Sequence, residues 1–412
     1  MAGEVSSLEK KTRQAFIWTS ALKAPLYTLQ AMLMFILYKE LHATPFQLCL
    51  FLSVKPIASL FSVYWSAMIY QRPDRLRLNL MLAGLIGYSP FFLLPFFKNT
   101  WFVIIACALF WTMHRGVMPA WAEILKQNLP KKSRHTTFSK GTIISYLSMA
   151  ILPICFGGMM DVDNTIWQVV FPCVVLLALT GMIFEWRIPI AEGVISREKT
   201  LVSPREAFFR PWKNTLELFQ TRPDFFRYQM GFMLGGGGLM IMQPALPSFF
   251  CDQLQLSYTE LMIALAICKG IGYALTSRIW AHWMDRLSIY RFSSFVTILA
   301  GLFPLALMMG KIEVLWVYMA YLLYGVMQAG SEMSWNLAGP IFSQEEDSSA
   351  YSSVNLVTVG VRGCMIPFVG GYLFGVISAS SVLLLGGVLC ALASLQLSRA
   401  DKRYASLPKE SV

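Results

Sequence analysis

Charge is the scarcest property of this sequence. Asp, Glu, Lys and Arg make up 14% of its 412 residues, while 56% are hydrophobic. A soluble domain of this size lacks the interior to bury so much apolar surface, so a soluble fold is excluded and lipid serves as solvent for the excess. Acidic residues are the rarer sign, 23 against 34 basic, for a net charge of +11. The basic residues sit in short gaps between apolar runs and never form a soluble basic domain, which excludes nucleic acid as a partner and suits loops kept on the cytoplasmic side. There are only 4 histidines, and no metal-ligand or serine–histidine spacing occurs, so neither a metal site nor a hydrolytic triad is expected. The absence of a G-x-x-x-x-G-K-[ST] loop argues against ATP-driven transport, and no cofactor is expected. The 8 cysteines form no CxxC pair and lie mostly inside apolar runs, so they read as small core residues. The N-terminal MAGEVSSLEKKTRQ runs into an apolar stretch with no small-residue cleavage pattern, which reads as a retained first helix.

What is abundant is apolar length. A spanning helix needs about 20 mostly apolar residues. Runs of that kind lie at 16–38, 45–69, 76–97, 101–125, 138–160, 167–186, 226–250, 260–283, 292–309, 314–341, 354–377 and 381–397, which predicts twelve transmembrane helices in an all-α integral membrane protein. With a cytoplasmic N-terminus, the inside segments collect Lys10, Lys11, Arg13, Arg72, Arg75, Arg77, Lys126, Lys131, Lys132, Arg134 and Lys140, while the outside loops hold only Lys39, Lys98 and Lys311. That asymmetry places both termini on the cytoplasmic side of a multi-pass protein of a plasma (bacterial inner) membrane.

The one long polar gap divides the chain. The expected organisation is a cytoplasmic N-terminus at 1–14, a six-helix bundle at 15–187, a cytoplasmic linker at 188–225, a second six-helix bundle at 226–398 and a tail at 399–412. Within the linker, SPREAFFRPWKNTLELF reads as an amphipathic helix lying on the inner leaflet. The two halves resemble each other. WSAMIYQRPDRL from Trp65 aligns with WAHWMDRL from Trp280, and FSKGTIISYLSMAILPICFGG aligns with YSSVNLVTVGVRGCMIPFVGG, with offsets near 214 residues. A repeat after six spans keeps both halves in the same orientation, a parallel internal repeat about the membrane normal.

Two six-helix halves, a cytoplasmic middle loop and an Asp-Arg pair after the second helix of each half resemble the major facilitator superfamily of secondary transporters. Asp74-Arg75 and Asp285-Arg286 match the Asp-Arg core of that family's loop motif, although Tyr70 and Ala281 stand four residues before each aspartate and the family's glycines are missing. AWAEILKQNLPKKSRHTTFS is similar to the family's acidic fourth-helix end with its proline-basic loop, through Glu123, Pro130 and Arg134. The resemblance implies an inner-face latch of Asp74, Arg75 and Glu123 that holds one conformation. The same charges also serve as topology anchors at the headgroups, and both readings stand. The fifth-helix motif of the family's antiporters is only partly met, by Gly141, Pro153 and Gly157-Gly158, so antiport is not inferred.

Ionisable groups inside spans are costly and mark cavities. The deep ones are Lys23, Lys55, Arg115, Lys269, Glu332 and Arg362, with Arg278 nearer the cytoplasmic end. Five cations against one anion call for an anionic neutraliser, and the simplest is a substrate bearing carboxylate or phosphate. Lys55, Lys269 and Arg362 are expected to supply that charge, with Arg115 and Glu332 as a neighbouring ion pair; local pairing or snorkelling is the alternative, most of all for Lys23. Glu332 and His114 are candidates for proton coupling. Gln328, Trp335 and Asn336 continue a polar-aromatic stripe around Glu332. Gly235, Gly236, Gly237 and Gly238, followed by Gln243-Pro244 and Pro247, read as a gating bend lining a cavity or as a close helix contact.

These features predict a secondary transporter of a small, anionic solute working by alternating access, monomeric and not an enzyme. The rivals are a transporter-like receptor that binds without translocating, and a polytopic membrane transferase, which would need acidic or histidine-bearing loops outside the membrane. Asp161 and Asp163 are the only acidic pair there.

Overall fold

A computed structural model of the chain describes residues 2–71, 75–188, 204–343 and 348–405, and these residues contain helices and no strand. In chain order the helices are α1 (Ala2–Lys39), α2 (Pro45–Gln71), α3 (Leu76–Phe92), α4 (Thr100–Asn128), α5 (Lys131–Val162), α6 (Trp167–Trp186), α7 (Pro204–Thr221), α8 (Pro223–Met242), α9 (Tyr258–Met284), α10 (Ile289–Met309), α11 (Leu315–Ser343), α12 (Ser348–Val376) and α13 (Ala379–Ala405). Each apolar run of the sequence overlaps one of them, although the 76–97 run outlasts α3 and the 226–250 run outlasts α8. Among the described residues, seven helices are long and apolar enough to cross a membrane: those at Ser7–Lys39, Thr136–Val162, Trp167–Trp186, Tyr258–Met284, Ile289–Met309, Ser353–Val376 and Ala379–Lys402. Large apolar side chains such as Leu82, Ile105, Leu176, Leu275, Leu302 and Leu392 point outward, a surface that only lipid solvates favourably. The chain is therefore a multi-pass membrane protein.

Local chemistry explains the helix ends. Asn99 accepts the backbone N–H of Trp101 at the start of α4, and Ser288 accepts that of Arg291 at the start of α10. Ser257 and Glu260 form a reciprocal capping box that starts α9. α7 carries its apolar and charged residues on opposite faces, the pattern read from the linker sequence.

The chain divides into two compact units, residues 1–47 with 57–202 and residues 48–56 with 203–412. In the first unit α1 packs against α4, α5 and α6, and α3 against α4 and α6. Its core gathers Leu80, Ala83, Val117, Ala120 and Ile124. In the second unit α8 packs against α12 and α13, α10 against α11 and α13, and α9 against α11. Here backbones touch. A Cβ at Gly272 would overlap the Leu322 carbonyl, and one at Gly325 would overlap the Lys269 carbonyl, so α9 and α11 meet through missing side chains.

α8 stays regular through its glycine run and gives way only at Gln243. There a tight turn (Gln243–Ala245), one helical turn (Leu246–Ser248) and a wide turn (Phe249–Gln253) carry the chain on. Pro244 and Pro247 lack the N–H that a regular ladder needs, which is why the irregularity begins there. A second wide stretch, Ile263–Cys268, lies inside α9 and ends immediately before Lys269. Such insertions re-aim side chains and recur at functional sites.

Candidate functional site

The first unit neutralises its deepest cation internally. Lys23 on α1 donates to Glu185 on α6 at 2.6 Å, with both side chains buried, and its ammonium lies 5.2 Å from the centre of the Tyr88 ring. This corrects the sequence-based charge count, which gave Glu332 as the lone deep acid. Glu185 is the penultimate residue of α6, where a charge reads as headgroup-level, but the packing of α6 on α1 and α3 seals it in. Nearby on α4, His114 meets the Tyr27 hydroxyl at 3.0 Å through Nδ1. Arg115 is half-buried, and its Nε finds no acceptor among the described residues.

The residues expected to form an inner-face latch are described in part. Asp74 lies outside the described residues, while Arg75 is exposed at the start of α3. Glu123 accepts from Gln127 at 3.0 Å and lies 3.9 Å from the Lys126 ammonium, both within α4. Asp285 and Arg286 are exposed at the end of α9.

In the second unit Arg362 on α12 is the centre of the construction. Its Nη1 donates to the Phe232 carbonyl at 3.0 Å, and the guanidinium faces the Phe232 ring at 5.7 Å. Its Nε is buried with no acceptor among the described residues. The guanidinium occupies the place where Gly236 has no side chain, since a Cβ there would overlap it. Gly235 and Gly238 are equally tight, against the Thr297 methyl and the Gly386 carbonyl at 2.6 Å each, whereas a Cβ at Gly237 would meet nothing. Beside Arg362 lies a cavity of about 160 Å³ reached by Gln243, Ser293, Thr297, Ser331, Ser334 and Tyr324.

Glu332 is engaged within its own unit. Its carboxylate accepts from the Tyr273 hydroxyl at 2.5 Å and from the Gln328 amide at 3.2 Å. Lys269 stands one turn before Tyr273 on α9 and lies within electrostatic reach of Glu332, without a contact of ion-pair length among the described residues. Trp335 packs against Phe232 at 6.2 Å, linking the predicted stripe on α11 to the Arg362 carbonyl acceptor. Asn336 is exposed, and Lys55 is exposed on the 48–56 stretch that clusters with the second unit.

The structure thus joins Arg362 with Gln243 around one cavity, and Glu332 with Gln328. Sequence reasoning missed Glu185, Tyr273, Phe232 and the hydroxyls of α10 and α11. Two of these left a trace: Tyr273 is four residues from Lys269 and so shares its face, and Ser293 and Thr297 repeat at the same spacing in an apolar helix.

Several solved transporters share this fold at low identity. A variant of the nucleoside transporter NupG superposes with a TM-score of 0.73 at 13% identity, covering 95% of this chain and 99% of that one. A POT family transporter in complex with 5-aminolevulinic acid gives 0.71 at 14%, covering 94% and 95%. A variant of the peptide transporter POT in complex with sulfate gives 0.71 at 12%, covering 95% of each chain. No curated protein sequence matches this one. The family model of the Major Facilitator Superfamily matches residues 21–366, most of the chain, and the protein therefore belongs to the major facilitator superfamily.

Proposed function

We propose that the protein is a secondary transporter that moves a small organic or phosphorylated anion by alternating access. In this reading twelve spans form two six-helix bundles, 15–187 and 226–398, related by a parallel repeat, with the 188–225 linker and both termini in the cytoplasm. The bundles rock about a central site, the general scheme of folds built from such repeats. The observation that carries the anion reading is the difference in neutralisation. Lys23 has Glu185 at 2.6 Å, while Arg362 has, among the described residues, a carbonyl and a ring, and the acid of the α11 stripe, Glu332, is held by Tyr273 and Gln328. Positive charge left in a low-dielectric cavity attracts an anion, and a bound anion lowers its cost.

Arg362 and Lys269 supply the main attraction in this scheme, with Lys55 and Arg115 adding to it, and Gln243, Trp335 and Asn336 contribute polar and aromatic contacts. Glu332 and His114 carry the proton where transport is proton-coupled. Asp74, Arg75 and Glu123, with Asp285 and Arg286 in the second half, latch the inner face, and Gly235 to Gly238 provide the pivot of α8. The test is uptake of labelled carboxylates and phosphate esters into proteoliposomes, with and without an imposed proton gradient. Lys269→Gln and Arg362→Gln are expected to reduce uptake at least tenfold, a loss of about 1.4 kcal/mol or more in binding. Uptake unchanged by both substitutions sinks the assignment.

A further inference from the structure

We infer that the cavity beside Arg362 is a subsite for a single carboxylate, so that the anion held by the second unit is a monocarboxylate; this rests on the anion-transport reading above and narrows it. The geometry begins with the donors of the guanidinium. Nη1 is spent on the Phe232 carbonyl. Nε is buried without an acceptor, and Nη2 donates to none among the described residues. Nε and Nη2 form one edge of the planar fork, and their two parallel N–H bonds match the two oxygens of a carboxylate. A buried donor left unmet is unfavourable, so the edge is built to be met.

Among the described residues no acidic side chain lines the cavity, so none of them supplies a carboxylate to this edge. The remaining polar lining is neutral: Ser293, Thr297, Ser331, Ser334, Tyr324 and Gln243. Ser293 and Ser334 share one hydrogen bond at 3.0 Å and both hydroxyls are also within reach of the Tyr228 hydroxyl, so they add neutral polar lining and no charge. One cation among neutral donors balances one negative charge, whereas a dianion would bury an uncompensated second charge. Size points the same way. At about 160 Å³ the cavity admits an acid group with a short tail or a few waters, and it is smaller than the roughly 300 Å³ from which pockets for whole ligands begin. Only the acid end of a larger substrate enters. Gly236 is the positioning residue, because its missing Cβ lets the guanidinium reach the Phe232 carbonyl.

The test titrates the purified full-length protein, in chloride-free buffer, with propionate, propionamide, sulfate and chloride, read by calorimetry and by thermal shift. Propionate is expected to bind saturably, propionamide not at all, and sulfate and chloride at least about tenfold more weakly, since neither is a single planar two-oxygen acceptor. Arg362→Gln is expected to weaken propionate about 30-fold or more, as losing one partner of a buried charged pair does. Arg362→Lys keeps the charge and the fold but loses the fork, with about a tenfold loss. Gly236→Ala displaces the guanidinium and costs about tenfold, while Gly375→Ala, whose Cβ meets nothing, leaves affinity within about twofold. Propionate affinity unchanged in Arg362→Gln and Arg362→Lys, or sulfate or chloride binding more tightly than propionate, overturns the subsite. Parallel uptake separates the two levels. Propionate bound while no labelled carboxylate, small or large, is translocated overturns the transport reading and leaves the subsite standing; uptake of another solute, indifferent to Arg362→Gln and without propionate binding, does the reverse.

Discussion

In the first unit, the ammonium of Lys23 has its counter-charge on the neighbouring helix; in the second, the guanidinium of Arg362 has a carbonyl oxygen and an aromatic face. Both arrangements provide hydrogen-bond partners, but only the first cancels charge. A carbonyl dipole and a ring quadrupole lower the cost of a buried cation without removing its field. The pair on α1 and α6 is thus a finished structural element. Arg362 is an unfinished one, with an edge of its fork in reserve. Burial alone does not separate a structural charge from a binding charge; the identity of the partner does.

The largest effect expected from breaking this comparison is at Glu185. Glu185→Gln strands the Lys23 ammonium in the core and costs about 3–5 kcal/mol, seen as lost folded yield and a lower melting temperature in detergent. The double change of Lys23→Met with Glu185→Leu recovers most of that loss, because an apolar pair of similar volume needs no neutralisation. Glu185→Gln melting at the native temperature would remove the structural role given to the pair.

Next comes Tyr273→Phe, which takes the 2.5 Å donor from Glu332 and leaves Gln328 alone on it. A hydrogen bond to an ionised carboxylate is worth about 1.5–3 kcal/mol, so stability falls by that order. A melting temperature equal to that of the native protein assigns Tyr273 to packing.

The units also differ in their glycines. Gly272→Ala in the second drives a Cβ into the Leu322 carbonyl, which is backbone, and is expected to cost about 1–3 kcal/mol. Gly84→Ala in the first meets the flexible Met182 thioether at 3.3 Å, and its gain in helix propensity, up to about 1 kcal/mol, offsets the contact. Thermal melts of the two variants side by side check the contrast.

The smallest effect lies at the start of α8, where Arg222 grips Asp224 at 3.1 and 2.9 Å. Partial burial pushes the Asp224 carboxyl up, but the Arg222 guanidinium and the Phe225 N–H outweigh it and hold it below the ordinary carboxylate range. A lowered folded value means that the contribution is present above the unfolded value, about 4, and is lost as pH falls through the folded one. Asp224→Asn is therefore expected to melt lower than the native protein at pH 7, by an amount corresponding to at most about 1 kcal/mol for so exposed a pair. The gap narrows as pH falls below the unfolded value of about 4 and through the lower folded one.

Much of the fold was legible because apolar run length is a local property. The run at 167–186 and the helix Trp167–Trp186 share both ends, and the linker helix was readable from its aromatic and basic alternation. The 226–250 run was legible as apolar but not as a helix that ends at Met242, because two prolines break the ladder without lowering hydropathy. Gln328 with Glu332 was legible as a helical pair at the i, i+4 spacing. Glu185 was not, since its position along α6 gives depth but not which neighbour covers it. Nor was the role of Gly236: four consecutive glycines look alike in a sequence, yet they meet a methyl, a guanidinium, open space and a backbone carbonyl.

The sequence by itself determined that this is a helical membrane protein with a surplus of deep positive charge, because hydropathy, loop charge and residue type add up position by position. Only the tertiary structure decided which of those charges are satisfied. Neutralisation depends on distances between helices far apart in the chain, as between residues 23 and 185, and on the orientation of donors around a single guanidinium, and neither quantity is written in the order of the residues.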